Sequence, residues 1–376
     1  MKIILSIEAL SPQLTGIGRY VWELVSRLPA HAELDKVRFY HNKRWLDDPA
    51  SLLQVVATPK PALIGKRKKK LRIKLPHWAK TAYLHWQCKG QLFHGPNFFI
   101  PACADIGIAT VHDLSVFKFP ETHPLDRIKQ FEREFNRSMA QASHLITDSH
   151  ATRLELIEYL GCNADKVTAV PLGVDNRFAP CAVTDPLLNN RLGALDLRPR
   201  CYSLCVSTLE PRKKIDRLLT AYQALPIALR TAYPLVIVGS TGWLSDALQK
   251  IIQTATQQGW VRYLGYVTEQ DLVLLYSGAK LFIYPSSYEG FGLPVLEAMA
   301  SGVPVICANY TSLPEVTQDA AMLIDPDDID AFTTAINRGL CDTEWWENAS
   351  FQGIKQAQRF NWDTCINQTL AVYKKL

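Results

Sequence analysis

Short runs of β-branched and aliphatic residues recur along this chain, and the stretches between them carry apolar residues at helical spacing. Such runs, bounded by turn residues, suit strands buried on both faces, and intervening helices would cover the resulting parallel sheet. In the first half the pattern predicts strands at Lys2–Ile7, Val37–Tyr40, Gln91–His94, Gly107–Val111, His144–Thr147 and Val167–Val170, with helices at Gly18–Leu28 and Asp126–Gln141. In the second half it predicts strands at Tyr202–Val206, Pro234–Val238, Val261–Leu264, Leu281–Tyr284, Val303–Ile306 and Ala321–Ile324. Helices are expected between them at Ile215–Leu225, Trp243–Gln258, Glu269–Ser277 and Pro294–Ala300, then at Asp328–Leu340, with two more before the end at Leu376. Between the halves, Arg177–Arg200 lacks clear periodicity and contains Pro180, Pro186 and Pro199, which predicts a linker. The expected fold class is α/β: two doubly wound domains joined by a linker, with a cleft between the carboxyl ends of their sheets.

Composition agrees with this picture. A chain of 376 residues, 48% hydrophobic and 20% charged, is long enough for two domains with a core each. No stretch approaches the ~20 apolar residues of a spanning helix. The start, MKIILSIEAL, is short for a signal peptide and contains Glu8, so it reads as a first strand. Nine cysteines occur without a Cys-x-x-Cys pair, and Cys201, Cys205 and Cys307 have apolar neighbours, as reduced core thiols of a cytoplasmic protein would. No His/Cys cluster has zinc-ligand spacing, and no metal is expected.

Charge changes the picture in one place. The net charge is +5, yet Lys66, Arg67, Lys68, Lys69, Lys70, Arg72 and Lys74 crowd into nine positions, and the rest of the chain is slightly acidic. Leu71, Ile73 and Leu75 interleave with this run, and Trp78, Tyr83 and Trp86 follow it. A basic, aromatic segment suits an anionic membrane surface, where each cation contributes ~1 kcal/mol. A solvated basic loop is the plainer alternative. Nucleic acid is the weakest, because no recognition module accompanies the patch.

Candidate chemistry concentrates in Tyr284-Pro-Ser-Ser-Tyr-Glu-Gly-Phe-Gly-Leu-Pro-Val-Leu-Glu297. A buried strand ends at Tyr284, a loop carries Gly290 and Gly292, and Pro294 opens a helix, where proline is favoured. Glycines let the backbone approach a ligand, and the unpaired N–H groups of a helix start suit anionic phosphates. Glu289 before the helix and Glu297 on its first turn are expected to bracket the ligand, since a carboxylate accepts two hydrogen bonds from hydroxyls. Taken alone, Glu297 could equally be an acid near a helix start and Glu289 a surface residue.

This segment resembles the Glu-x7-Glu motif of family 4 retaining glycosyltransferases, which have the GT-B architecture of two facing Rossmann-like domains. Other motifs follow in the family's order: Thr15-Gly-Ile-Gly-Arg-Tyr20, Val111-His-Asp-Leu114, Leu209-Glu-Pro-Arg-Lys213, Gly265-Tyr-Val267 and Ser312-Leu-Pro-Glu-Val316. The overall texture is most similar to bacterial mannosyltransferases of O-antigen assembly. The resemblance implies that residues 1–178 bind the acceptor, 179–200 link the domains, 201–357 bind the nucleotide sugar, and 358–376 form a helix packing back on the first domain. It implies that Glu289 holds hydroxyls of the donor sugar and Glu297 the ribose. The amides of Gly290, Phe291, Gly292 and Leu293 would bind sugar and phosphates, Arg212 and Lys213 the leaving diphosphate, and Val267 would border the base. His112 would lie beside the anomeric centre, and Gly16 would let the first loop approach the phosphates. Where many relatives carry a further arginine, this chain has Thr208, which shifts the charge role toward Arg212.

The resemblance further implies retention of configuration by front-face displacement, without a metal, from a donor that is most readily GDP-mannose. The acceptor would be a lipid-linked glycan such as lipopolysaccharide O-antigen, met at the inner face of the cell membrane, alongside other glycan-assembly enzymes. A rhamnosyl- or glucosyltransferase and a GT-B nucleotide-sugar epimerase are the near alternatives. A dehydrogenase is disfavoured. Gly16-Ile-Gly18 follows a strand, but Val21 stands where the third glycine belongs and no acidic residue ends the next strand. A binding protein that had lost its chemistry would have had little reason to keep Glu289, Glu297, Lys213 and His112.

Overall fold

A computed structural model describes residues 1–54, 77–122, 125–242 and 246–376. The basic run Lys66–Lys74 therefore lies outside the described residues, as does the first turn expected of the helix at 243–258.

The first half folds around β1 (Lys2–Ser6), β2 (Lys36–His41), β3 (Arg44–Leu46), β4 (Leu92–Gly95), β5 (Ile106–Val111), β6 (Ala142–Thr147) and β7 (Val167–Ala169). Their order in the sheet is β3-β2-β1-β4-β5-β6-β7. All neighbours are parallel except β3, which returns antiparallel on β2. The pattern of the sequence does not predict β3. It is three residues long, and its turn uses Asn42 and Lys43 with φ of 49° and 61°, a left-handed pair fitting a tight hairpin but lacking the usual glycine.

The second half is a fully parallel sheet of β8 (Ser203–Val206), β9 (Leu235–Val238), β10 (Val261–Gly265), β11 (Leu281–Tyr284), β12 (Val305–Ala308) and β13 (Ala321–Ile324), in the order β10-β9-β8-β11-β12-β13. Both sheets thus reverse direction beside their first strand, β1 and β4 in one, β8 and β11 in the other. That reversal opens a crevice at the strands' carboxyl ends, as doubly wound sheets require. The expected GT-B architecture is what the chain adopts.

Arg177–Arg200 is not an irregular linker. Helix Pro186–Ala194 forms within it, with Asp185 as its cap accepting from Leu187 N at 2.8 Å and Leu188 N at 3.0 Å. Pro186, read from the sequence as a breaker, sits at the helix start, where its missing N–H costs nothing. Leu188 and Leu192 supply the buried face, a pattern too short to stand out as periodicity. Helices His77–Cys88, His150–Leu160 and Ile227–Ala232 also go unmarked by the sequence pattern.

The final helix, Trp362–Tyr373, lies against the first half. Tyr373 OH meets His94 Nδ1 at 2.7 Å, and Arg27 pairs with Asp363 at 2.5 Å. One buried cluster runs from Ile3 and Leu5 through Leu172 and Phe291 to Trp362 and Tyr373, joining the two sheets' cores. Among the described residues no helix is long and apolar enough to cross a membrane.

Candidate active site

A cleft of about 550 Å³ opens between the sheets' carboxyl ends. Loops after β1, β5, β8, β9, β10 and β11 line it, and they bring together Gly16, His112, Arg212, Lys213, Val267, Glu289, Gly290, Phe291, Gly292 and Leu293. One expected residue is missing from the lining: Glu297.

The loop after β11 does most of the positioning. Gly292 has φ of 104°, a backbone setting that favours glycine, and it precedes helix Leu293–Ala300. Gly290 is a glycine for a different reason from the one its motif suggests. A Cβ there would lie 1.8 Å from the His112 carbonyl oxygen, so the close approach is to the opposing domain's backbone. Thr152 Oγ1 donates to the Gly290 carbonyl at 3.1 Å, and Leu114 N donates to Tyr288 OH at 3.0 Å. This one loop thereby clamps the two halves together. The N–H groups of Gly290, Phe291 and Gly292 find no acceptor among the described residues. Unpaired donors at a helix start in a cleft are the kind of arrangement that suits an anion.

Beside them lies a buried charge cluster. Lys213 Nζ donates to Glu289 Oε1, and at 3.0 Å to Tyr284 OH, which in turn donates to Glu289 Oε1 at 2.8 Å. Arg212 Nη1 donates to the Tyr288 carbonyl at 2.9 Å and stands 3.8 Å from Glu289 Oε2, while its Nε pairs with Glu210 at 3.1 Å. Burial alone would push the Glu289 carboxyl up, but Lys213 and Arg212 outweigh it and hold the group at about 2. Burial also lowers the Lys213 ammonium, against the pull of Glu289. In this arrangement the two cations expected to meet phosphate are compensated by the carboxylate expected to meet sugar.

His112 lines the cleft, but its ring is turned into its own domain. Nδ1 faces Asp148 Oδ2 at 2.7 Å and Nε2 faces the Pro96 carbonyl at 2.8 Å. An acceptor at each nitrogen favours the doubly protonated imidazole. Burial opposes that charge, yet Asp148 prevails and holds the His112 pKa above its usual value. Neither nitrogen is available to a ligand while these bonds stand.

Glu297 departs furthest from expectation. Helix Leu293–Ala300 places it one full turn in, rather than on the first turn, and buries it to 7% exposure. Burial pushes its carboxyl up to about 7, with Arg19 opposing and Glu269 and Asp175 adding to the rise. Of the two glutamates, Glu289 lines the cleft and Glu297 does not. Thr208 lines the cleft and bonds Glu210 at 3.1 Å.

The Glycosyltransferase Family 4 profile matches residues 14–178, and that of Glycosyl transferases group 1 matches 199–356. Over its whole length and that of the relative, the chain is 39% identical to O-antigen chain mannosyltransferase B of Escherichia coli. The chain is a family 4 glycosyltransferase. This glycosyltransferase is also 30% identical, over 67% of its length and 30% of the relative's, to the serotype-specific mannosyltransferase WbdA of Escherichia coli. Among solved structures, Anabaena HepE in complex with UDP and glucose superposes with a TM-score of 0.73, covering 100% of both chains at 18% identity.

Two cleft groups, Tyr284 and Asp148, and Tyr288 beside them escape a reading of the sequence. Tyr284 is visible there only as a strand end, Tyr288 only as part of a motif, and Asp148 carries no signal because its partner His112 lies 36 positions away.

Proposed function

We propose that this glycosyltransferase moves mannose from GDP-mannose, with retention of configuration, onto a lipid-linked O-antigen chain at the inner face of the cell membrane. The full-length likeness to an O-antigen chain mannosyltransferase supports the sugar and the acceptor class. The observation that carries the donor site is the set of three unpaired amides at Gly290, Phe291 and Gly292, beside Arg212 and Lys213 in one cleft. Amides and cations together would cradle a diphosphate, and charge-assisted bonds of this kind contribute about 1.5–3 kcal/mol each.

On this reading the diphosphate competes with Glu289 for Lys213 and Arg212. As they turn to phosphate, the Glu289 carboxylate is released to accept bonds from the sugar hydroxyls. The C1–O bond to the leaving phosphate breaks as an acceptor hydroxyl approaches the same face, and a leaving-phosphate oxygen takes the hydroxyl's proton. Lys213 and Arg212 stabilise the charge that develops on the diphosphate, the main catalytic term. His112 and Gly290, locked backbone to backbone, would fix the two halves around the anomeric centre. Val267 would border the base, Gly16 would admit the phosphates, and the acceptor would approach along residues 1–178.

A thermal-shift screen of nucleotide sugars tests the donor, because a ligand at 100 times its Kd stabilises by ~2.7 kcal/mol. GDP-mannose should give the largest shift, and the product's anomeric coupling by NMR should match the donor's. A larger shift with another nucleotide sugar, an inverted product, or interconversion of free nucleotide sugars without acceptor would each overturn the corresponding part.

A further inference from the structure

A second cavity, of about 350 Å³, lies at the junction of the two halves, between the starts of helices His150–Leu160 and Trp362–Tyr373. It shares Leu172 with the main cleft, and its Phe360 packs edge-on against Phe291 of that cleft at 5.7 Å. One layer of side chains therefore separates the two.

The charges around this cavity are already engaged. Glu315 reaches across from the second half to accept from His150 N at 3.0 Å and Ala151 N at 3.1 Å, one carboxylate oxygen to each. Arg359 Nη1 donates to Gln318 Oε1 at 2.9 Å and to Gln356 Oε1 at 3.2 Å. Neutral donors and acceptors remain. The His150 ring, the Gln368 amide and the Thr364 hydroxyl have no hydrogen-bond partner among the described residues, and Asn361 uses only its oxygen, as the cap of Thr364 N at 2.8 Å. Apolar surface comes from Pro171, Leu172 and Phe360. At the rim, Gln318 is held at φ 46° and ψ −129°, a setting non-glycine residues avoid and one that clusters at functional sites.

Amides, a hydroxyl and an imidazole around an aromatic ring can both donate to and accept from hydroxyls, while the ring covers an apolar sugar face. The Glu315 carboxylate beside Arg359 opposes a phosphate, and both its oxygens are already taken by amides, which leaves little for a cation. We infer that this cavity is a second carbohydrate site, which holds a hexose unit of the glycan being extended. The inference rests on the reading of this chain as a glycan-extending mannosyltransferase. Because Glu315 and Gln318 come from the second half and His150 and Leu172 from the first, an occupant would touch both.

Saturation-transfer NMR with α-linked mannotrioses tests it, in the presence of saturating GDP so that the donor cleft is filled. The full chain should show binding that persists under GDP. Combined Gln368→Ala and Thr364→Val, both at exposed positions, should weaken that binding about tenfold with an unchanged melting temperature. The same pair should raise the ratio of KM for long acceptors to KM for a monosaccharide acceptor by a similar factor. Binding abolished by GDP, insensitive to both changes, or displaced by inorganic phosphate would overturn the site. If the trioses bind as expected but GDP-mannose is not turned over, the functional reading fails and the site stands. If GDP-mannose is turned over but no triose binding persists under GDP, the site fails and the functional reading stands.

Discussion

Replacing Glu289 by glutamine tests the buried charge cluster most directly. Glutamine keeps the shape and can still accept from Tyr284 OH, which lies 2.8 Å from Oε1, but it removes the charge that compensates Lys213 and Arg212. The fall of this carboxyl from 4.5 to about 2 corresponds to about 3 kcal/mol in favour of its charged form. At 12% side-chain exposure the pair is little screened, and the substitution also leaves Lys213 buried without its counter-charge. We expect Glu289→Gln to lose about 3 kcal/mol at pH 7, which in a domain of this size lowers Tm by about 6–12 °C.

The pH dependence gives the sharper criterion. A carboxyl whose folded pKa is depressed contributes stability that is fully present above its unfolded value of 4.5 and fades as pH falls toward about 2. The gap between parent and variant should thus be constant from pH 7 to about 5 and narrow below, because the parent's own Glu289 then protonates. Denaturant midpoints of both proteins from pH 7 to 3 supply the measurement, and taking the difference cancels acid effects common to both. Ligand binding adds a second criterion: the variant should hold GDP at least as well as the parent, its cations being freed, while turnover of the nucleotide sugar falls. A variant as stable as the parent at pH 7, or a gap that does not narrow in acid, would refute this account.

Glu297→Gln should act with the opposite sign. A buried acid raised to about 7 costs stability as pH rises from 4.5 to 7, so at pH 8 the variant should be more stable than the parent by about 3 kcal/mol, while at pH 4 the two should melt alike; equal melting at pH 8 would refute the burial argument. Lys213→Ala should reduce both donor affinity and turnover in a folded protein, and unchanged kinetics would remove Lys213 from the site. Dialysis against EDTA should leave transfer intact, since amides and cations are proposed to bind the diphosphate; loss restored by a divalent ion would show a metal at work. Changing Lys68, Lys69 and Lys70 to serine should lower binding to anionic vesicles and activity on membrane-embedded acceptor, increasingly so as salt falls, but spare a soluble acceptor analogue. Absence of vesicle binding by the parent at low salt would make the run a solvated loop.

What the sequence reveals and what it conceals divide along a physical line. Strands such as Leu281–Tyr284 are legible because a doubly covered sheet demands unbroken apolar runs, and the run itself is local information. The cleft residues are legible for a related reason: loops after strands carry them in short motifs with glycines and prolines at fixed offsets. Pairings across the chain are not. That Glu289 meets Lys213, 76 positions away, and that both ring nitrogens of His112 are taken by Asp148 and Pro96, depends on which loops the two sheets bring face to face. Gly290 shows the limit most clearly. Its motif marks a close approach and cannot say to what; the structure gives the His112 carbonyl of the opposing half. The glycine-rich loop therefore has two partners to satisfy, its free amides on the cleft side and the other domain's backbone behind. A substitution at Gly290 should accordingly disturb how the halves meet as well as how the cleft binds phosphate, which sequence alone would have assigned to binding only.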